Sequence, residues 1–201
     1  DAKALEMAET TLREMREGGI YDHVGFGFHR YSTDQKWLMP HFEKMLYDQA
    51  LLAMAYTEAF QAAGKEEYRR TAEIIFAYVA RDMTHSEVGF FSAEDADSEG
   101  EEGLFYLWTA QQIIDVLGEV DGKLWSDVYG VKSGGNFRDE VSGISGPRNI
   151  LHQRETLAES AERHGTTEAV LLPRLEAMRV KLLAARAKRI RPLRDDKVLT
   201  D

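Results

Sequence analysis

Helix-patterned runs that end in glycine dominate this chain, and two of them are separated by only two residues. Residues 3–17 place Leu5, Ala8, Leu12 and Met15 at three- and four-residue spacing, and Gly18-Gly19 follows at once. That is an amphipathic helix with a glycine stop. A second run starts at Pro40 or His41 and reaches Ala63, with Leu46, Ala50, Met54 and Thr57 on one stripe and Gly64 at its end. A third covers 66–83, with Ile74, Ile75, Tyr78 and Val79 as its apolar side. With only Gly64-Lys65 between them, the second and third runs must fold back on each other as an antiparallel αα-hairpin. Further helices suit 110–117, 121–129, 153–164 and 167–189. Thr109 and Gln112 occupy capping-box positions before the first of these, and Pro173 lies inside the last. The pattern predicts an all-α fold.

Short β excursions interrupt it. Gly89–Ala93 and Gly103–Trp108 read as two strands, linked by the acidic run from Glu94 to Glu102. Residues 132–149 are rich in Gly, Ser and Asn and suit an irregular excursion, and 190–201 suits an extended connector. Gly19 and Gly89 are 70 residues apart and Trp37 and Trp108 are 71 apart, a spacing that suggests stacked helical hairpins.

The segment from Gly18 to Tyr31 cannot be helical, yet it gathers Asp22, His23, Phe26, Phe28, His29 and Arg30 between two helices. Histidine is the side chain best suited to proton transfer near neutral pH, so His23 and His29, six residues apart with Asp22 and Arg30 near, are a candidate set. The same residues also have an ordinary use in packing a loop over helix ends. His41 and Glu43 are expected in the first turn of the second helix, aimed into the cavity of the preceding loop, with Lys44 and Asp48 as an i,i+4 pair. The run 94–102 holds six carboxylates in nine residues, but the twelfth position of a calcium loop begun at Asp95 falls on Tyr106. It is expected as a solvated hairpin tip. Asp95 and Asp97 keep a carbohydrate- or cation-facing alternative because aromatic side chains flank them.

The formal net charge of −10 argues against a phosphate-backbone binder, so no nucleic-acid partner is expected. Arg186, Lys188, Arg189, Arg191 and Arg194 are a local basic exception, read as cations complementing a helix C-terminus. No stretch reaches the roughly 18 apolar residues of a membrane span, and no signal peptide is visible. The chain has no cysteine, which excludes disulfides, thiolate nucleophiles and zinc–cysteine sites and fits a reducing cytoplasm. No metal site or cofactor motif is found: Walker A, His-Glu-x-x-His and Gly-x-Ser-x-Gly are absent.

Several long motifs carry a resemblance. They are Gly18–Asp34 (Gly-Gly-Ile-Tyr-Asp-His-Val-Gly-Phe-Gly-Phe-His-Arg-Tyr-Ser-Thr-Asp), Trp37–Ala50, Phe90–Gly100, Gly103–Trp108 and Asp195–Asp201. Together they resemble the spermatogenesis-associated protein 20-like family. Full-length members carry a thioredoxin-like domain followed by an (α/α)6 toroid of the six-hairpin glycosidase type. The resemblance implies that residues 1–201 are the first part of that toroid, without the thioredoxin-like domain and the later hairpins. The family usually has glycine in the middle of Gly25-Phe26-Gly27, where this chain has Phe26. The toroid is shared with sugar epimerases and glycosidases, so the implied function is a carbohydrate-active site, with no firmly assigned reaction. His29, His41, Glu43 and Asp95 are then the expected catalytic residues. Asp22, Arg30, Tyr31, Tyr47, Asp97 and Trp108 are the expected substrate contacts. The alternative is a non-catalytic binding module that works with the thioredoxin-like domain.

Overall fold

A computed structural model describes residues 1–87, 89–138, 143 and 145–197. Val88, part of the repeat, and residues 198–201 of the last motif lie outside the described residues, as does part of 132–149. The chain divides into two compact units: residues 1–104 with the segment from Arg191 onward, and residues 105–190. Among the described residues no helix is long and apolar enough to cross a membrane.

The first unit opens with α1 (Ala2–Glu17), capped by the Asp1 side chain and ended at Gly18. The loop that follows crosses short strands β1 (Tyr31–Ser32), β2 (Pro40–His41) and β3 (Lys44–Met45) before α2 (Leu46–Ala63). Gly64, in the left-handed region at φ 68°, closes α2 with a bond from its N–H to the Phe60 carbonyl. The chain then reverses into α3 (Glu66–Tyr78), which continues as a π-helical turn through Met83. The αα-hairpin is as the spacing predicts. Its core joins Leu12, Ile20, Tyr21, Phe28, Ala53, Tyr56, Tyr68 and Ile75.

Two expectations about α2 fail. The helix starts at Leu46, and residues 40–45 are extended: β2 pairs with β1, and Lys44–Met45 pairs with β6 (Ala93–Glu94). The ladder bonds of those pairings replace the helical turn. The buried face is also displaced. Gln49, Ala53, Tyr56 and Ala59 are buried, whereas Ala50 and Met54 face solvent. An apolar helix face is assigned by periodicity only when the other face is polar, and Leu51 and Met54 make both sides of α2 apolar. On α1, Leu12 is buried, Leu5 and Met15 are half-buried, and Ala8 is exposed.

The β excursions also differ from expectation. Gly89–Phe90 (β5) pairs with Thr84–His85 (β4). The acidic run is itself a hairpin, with β7 (Asp97–Ser98) against β8 (Glu101–Glu102) and a turn at Glu99 and Gly100, both at positive φ. Residues 103–106 are turn. Arg194–Asp195 adds a third strand to β6, so the expected connector is in part a sheet edge.

A buried ionic chain ties these pieces together. Lys44 Nζ donates to Asp22 Oδ2 at 2.8 Å and to the Phe26 carbonyl at 2.8 Å, and lies 4.5 Å from the centroid of the Tyr78 ring. Asp22 Oδ1 accepts from the Val24 and Gly25 N–H groups. Arg191 reaches Glu94 Oε2 through Nε (3.0 Å) and Nη2 (2.8 Å) and Asp82 Oδ1 through Nη1 (2.9 Å). Arg81 bonds Asp82 and the Gly25 carbonyl. Arg194 Nη1 donates to the Asp82 carbonyl at 2.9 Å, so of the basic tail Arg191 and Arg194 hold tertiary contacts rather than a helix dipole.

Burial pushes the Asp82 carboxyl up, but the hydrogen bonds and charges of Arg81 and Arg191 outweigh it and hold the group below its usual range. A folded value below the unfolded one of about 3.9 gives stability that is present above that pH and lost as pH falls through the folded value. Asp82→Asn is expected to flatten the acid limb below about pH 4. Urea midpoints at several acid pH values measure this, and an unchanged limb would remove Asp82 as its source.

In the second unit, β9 (Trp108–Thr109) leads into α4 (Ala110–Leu117) through the expected Thr109–Gln112 capping box. It continues through α5 (Glu119–Val128), β10 (Arg148–Asn149), α6 (Leu157–Arg163) and α7 (Glu168–Arg186), which holds Pro173 internally. β10 pairs with β9, and buried Asn149 donates through Nδ2 to the Trp108, Lys132 and Pro147 carbonyls. Trp37 is in the left-handed region while Trp108 is extended, so the two repeat tryptophans occupy different local structures.

Candidate functional site

Pairing of β1 with β2 sets Tyr31 opposite His41, with ring centroids 5.2 Å apart. The Arg30 N–H bonds the Glu43 carbonyl at 2.8 Å, which brings the two side chains together, and Arg30 Nη1 donates to Glu43 Oε2 at 3.0 Å. The 97–102 hairpin delivers Glu102. Its Oε1 lies 2.8 Å from His41 Nδ1 and accepts from the Phe42 N–H at 3.2 Å. Gly103 permits this approach: its φ is +74°, and a Cβ there would lie 2.4 Å from the Phe42 ring.

An ionised carboxylate only accepts, so the proton of a neutral His41 sits on Nδ1 and the Nε2 lone pair is left available. Glu43 Oε2 stands 3.8 Å from that Nε2. The first turn of α2 adds Tyr47, which is exposed, and Asp48, which is half-buried. Tyr47 and Glu43 stabilise the Arg30 charge and raise its guanidinium. Burial, opposed by Arg30 and aided by Glu43, raises the Asp48 carboxyl, and its Oδ2 is enclosed with no hydrogen-bond partner among the described residues. Arg30, Tyr31, His41, Glu43, Tyr47, Asp48 and Glu102 thus form one polar cluster with two exposed aromatic rings. A clamped imidazole with a free nitrogen, two carboxylates and a guanidinium is equipped to move protons and to bind hydroxyl or carbonyl oxygens.

The other expected residues lie elsewhere. His29 is 3% exposed, and its Nδ1–H donates to the Phe42 carbonyl at 2.8 Å. Asp22 is buried on Lys44, which is therefore not the i,i+4 partner of Asp48. Asp95 and Asp97 are exposed on the hairpin segment; Asp95 Oδ1 accepts from the Asp97 N–H at 3.3 Å, and Asp97 stands opposite Glu102 in the ladder. Trp108 belongs to the second unit and is buried there. Sequence reasoning missed Glu102 and singled out Asp48 only as a partner of Lys44. The Glu99-Gly100 turn signal inside the acidic run would have paired Asp97 with Glu102, but nothing local points Glu102 at His41. Among the described residues no group of three or more His, Asp or Glu side chains is placed to hold a metal ion.

The first unit is thus an α-rich scaffold with its polar cluster at a loop-to-helix junction. No protein-family profile matches the chain. It is 43% identical over 216 residues to human Spermatogenesis-associated protein 20, covering 98% of this chain and 27% of that protein. The mouse protein of the same name is 41% identical, and Uncharacterized protein B0495.5 of Caenorhabditis elegans is 33% identical, each over 98% of this chain. The chain is a partial segment of the Spermatogenesis-associated protein 20 family, spanning little more than a quarter of the length of these relatives.

Proposed function

We propose that the His41 cluster is a proton-transfer site for a sugar, carried by the first part of an (α/α)6 toroid. The observation that carries the reading is His41, held through Nδ1 by Glu102 with Nε2 turned toward Glu43. His41 Nε2 takes a proton from the carbon beside a sugar carbonyl. Arg30 stabilises the charge developing on the carbonyl oxygen. The His41 imidazolium exchanges its proton with solvent and returns one to the enediolate carbon, while Glu43, paired with Arg30, holds the guanidinium in place. Tyr31 and Tyr47, 50% and 41% exposed, supply stacking surface for a sugar ring. The toroid is supported by α2, whose exposed Leu51 and Met54 suit a helix surrounded by further helices.

The test is solvent exchange. The chain is incubated in D2O with a panel of mono- and disaccharides, and deuterium entry beside the carbonyl is followed by NMR. His41→Ala is expected to lose about 100-fold or more of the exchange rate, the usual contribution of a general base. No exchange with any sugar, or full exchange in the variant, overturns the reading. In that case the exposed run Tyr47, Leu51 and Met54 favours the second reading, a non-catalytic surface for the family's thioredoxin-like domain.

A further inference from the structure

Two helix faces of the second unit line a cleft of about 440 Å³ that uses none of the residues of the His41 cluster. Val120, Lys123, Leu124 and Asp127 fall at i, i+3, i+4 and i+7 of α5, so they share one side of that helix. Thr166, Val170 and Arg174, from the start of α7, line the other side. Leu124 and Leu171 are buried at its base, whereas Val120 and Val170 are 74% and 61% exposed. A cleft of this size, apolar with a few placed polar groups, suits a small organic ligand.

The polar groups of the lining decide what that ligand carries. Asp127 Oδ2 accepts from His164 Nε2 at 2.7 Å and from Arg163. Burial pushes the Asp127 carboxyl up, but these two bonds outweigh it and hold the group below its usual range. Asp127 is therefore ionised and has no proton to give, and its charge is offset by Arg163 and His164. The spare valences of the lining are donors. Lys123 Nζ has three N–H groups, and one serves Glu119 at 2.9 Å. Arg174 gives Nε and Nη2 to Asp121, which leaves Nη1 without an acceptor among the described residues. The Thr166 hydroxyl has no partner among them either. Thr167 precedes α7 without a side-chain cap bond, so the positive end of the helix dipole begins beside Thr166. Glu119 and Asp121 already answer the two cations, so a single added negative charge matches the spare donors better than a dianion does. The open valines require an apolar body, which an inorganic anion lacks. We propose that this cleft binds a small monocarboxylate with an apolar tail, its carboxylate on Lys123, Arg174 and Thr166 and its tail along Val120 and Val170.

Octanoate is the probe, with acetate (the charge without the tail) and 1-octanol (the tail without the charge) as controls. Each is titrated into the full chain at constant ionic strength, following the Val120 and Val170 methyl resonances. Octanoate is expected to shift both saturably, and to bind about tenfold or more tightly than either control. Val170→Asp sets a negative charge on the wall of the cleft and should weaken octanoate about tenfold or more. Lys123→Gln should weaken octanoate and leave octanol unchanged. Both positions are exposed, so the fold survives either change. Octanoate no tighter than acetate overturns the proposal. Octanoate no tighter than octanol also overturns it, and leaves the cleft a plain apolar surface. Undiminished octanoate affinity in either variant places the ligand elsewhere and overturns it too.

Discussion

Lys44→Met is expected to destabilise the first unit by about 3–5 kcal/mol, the cost of removing one partner from a buried ion pair. Methionine fills nearly the same volume, so the loss is not mainly a cavity. What remains is the Asp22 carboxylate, 4% exposed, without the ammonium 2.8 Å away. Its Oδ1 still accepts from Val24 and Gly25, which is why the loss is not larger. Lys44 also holds the Phe26 carbonyl, so its removal loosens the tip of the 20–31 loop.

Asp22→Asn combined with Lys44→Met separates charge from packing. Asparagine keeps an acceptor for the two backbone N–H groups and carries no charge, so the double variant should recover most of what Lys44→Met loses. Lys65→Met is the exposed control. Its partner is Glu9, the lysine side chain is 50% exposed, and the expected cost is under about 1 kcal/mol. Denaturant midpoints with amide exchange read on α2 report on this unit rather than on the whole chain. A Lys44→Met midpoint within about 1 kcal/mol of wild type would show that the pair is not what holds the loop, because that is the scale of a surface pair.

The same pair shows where sequence reading stops. The turn at Gly64-Lys65 and the Thr109–Gln112 box were legible because every group they use lies within four residues. Lys44 offered a local partner at Asp48, but its actual partner arrives from 22 positions away. Residues 40–45 carry apolar spacing that runs smoothly into α2. Pairing with Tyr31–Ser32 makes Pro40–His41 a strand, and the remote pairing with Ala93–Glu94, some fifty residues on, does the same for Lys44–Met45. The candidate site was half legible for this reason. Arg30, Tyr31, His41, Glu43 and Tyr47 are close in sequence, whereas Glu102 is brought to His41 by a hairpin 61 residues later. Among the residues expected as chemistry, His29 and Asp22 instead hold backbone and a buried lysine.

Gly27→Ala should be strongly damaging for so small a change, at about 2–5 kcal/mol. Two costs add: roughly 1–2 kcal/mol for a left-handed backbone with a Cβ and 1–3 for overpacking. Gly27 has φ +75°, and a Cβ there would lie 2.5 Å from Cδ1 of Tyr78. That ring is 1% exposed and is held on one face by Lys44, so it cannot step aside. Gly64→Ala isolates the first cost, since φ is +68° and nothing lies within 4 Å of the added carbon. Phe26 gives a third point. It has φ +70° although it is not glycine. Phe26→Gly should relieve that backbone cost while losing the contact its ring makes with the core. The three variants rank as Gly27→Ala well below Gly64→Ala, with Phe26→Gly near wild type, in a denaturant series on one preparation. Equal losses for Gly27→Ala and Gly64→Ala would mean that the Tyr78 ring yields, and that the loop is set by backbone conformation alone.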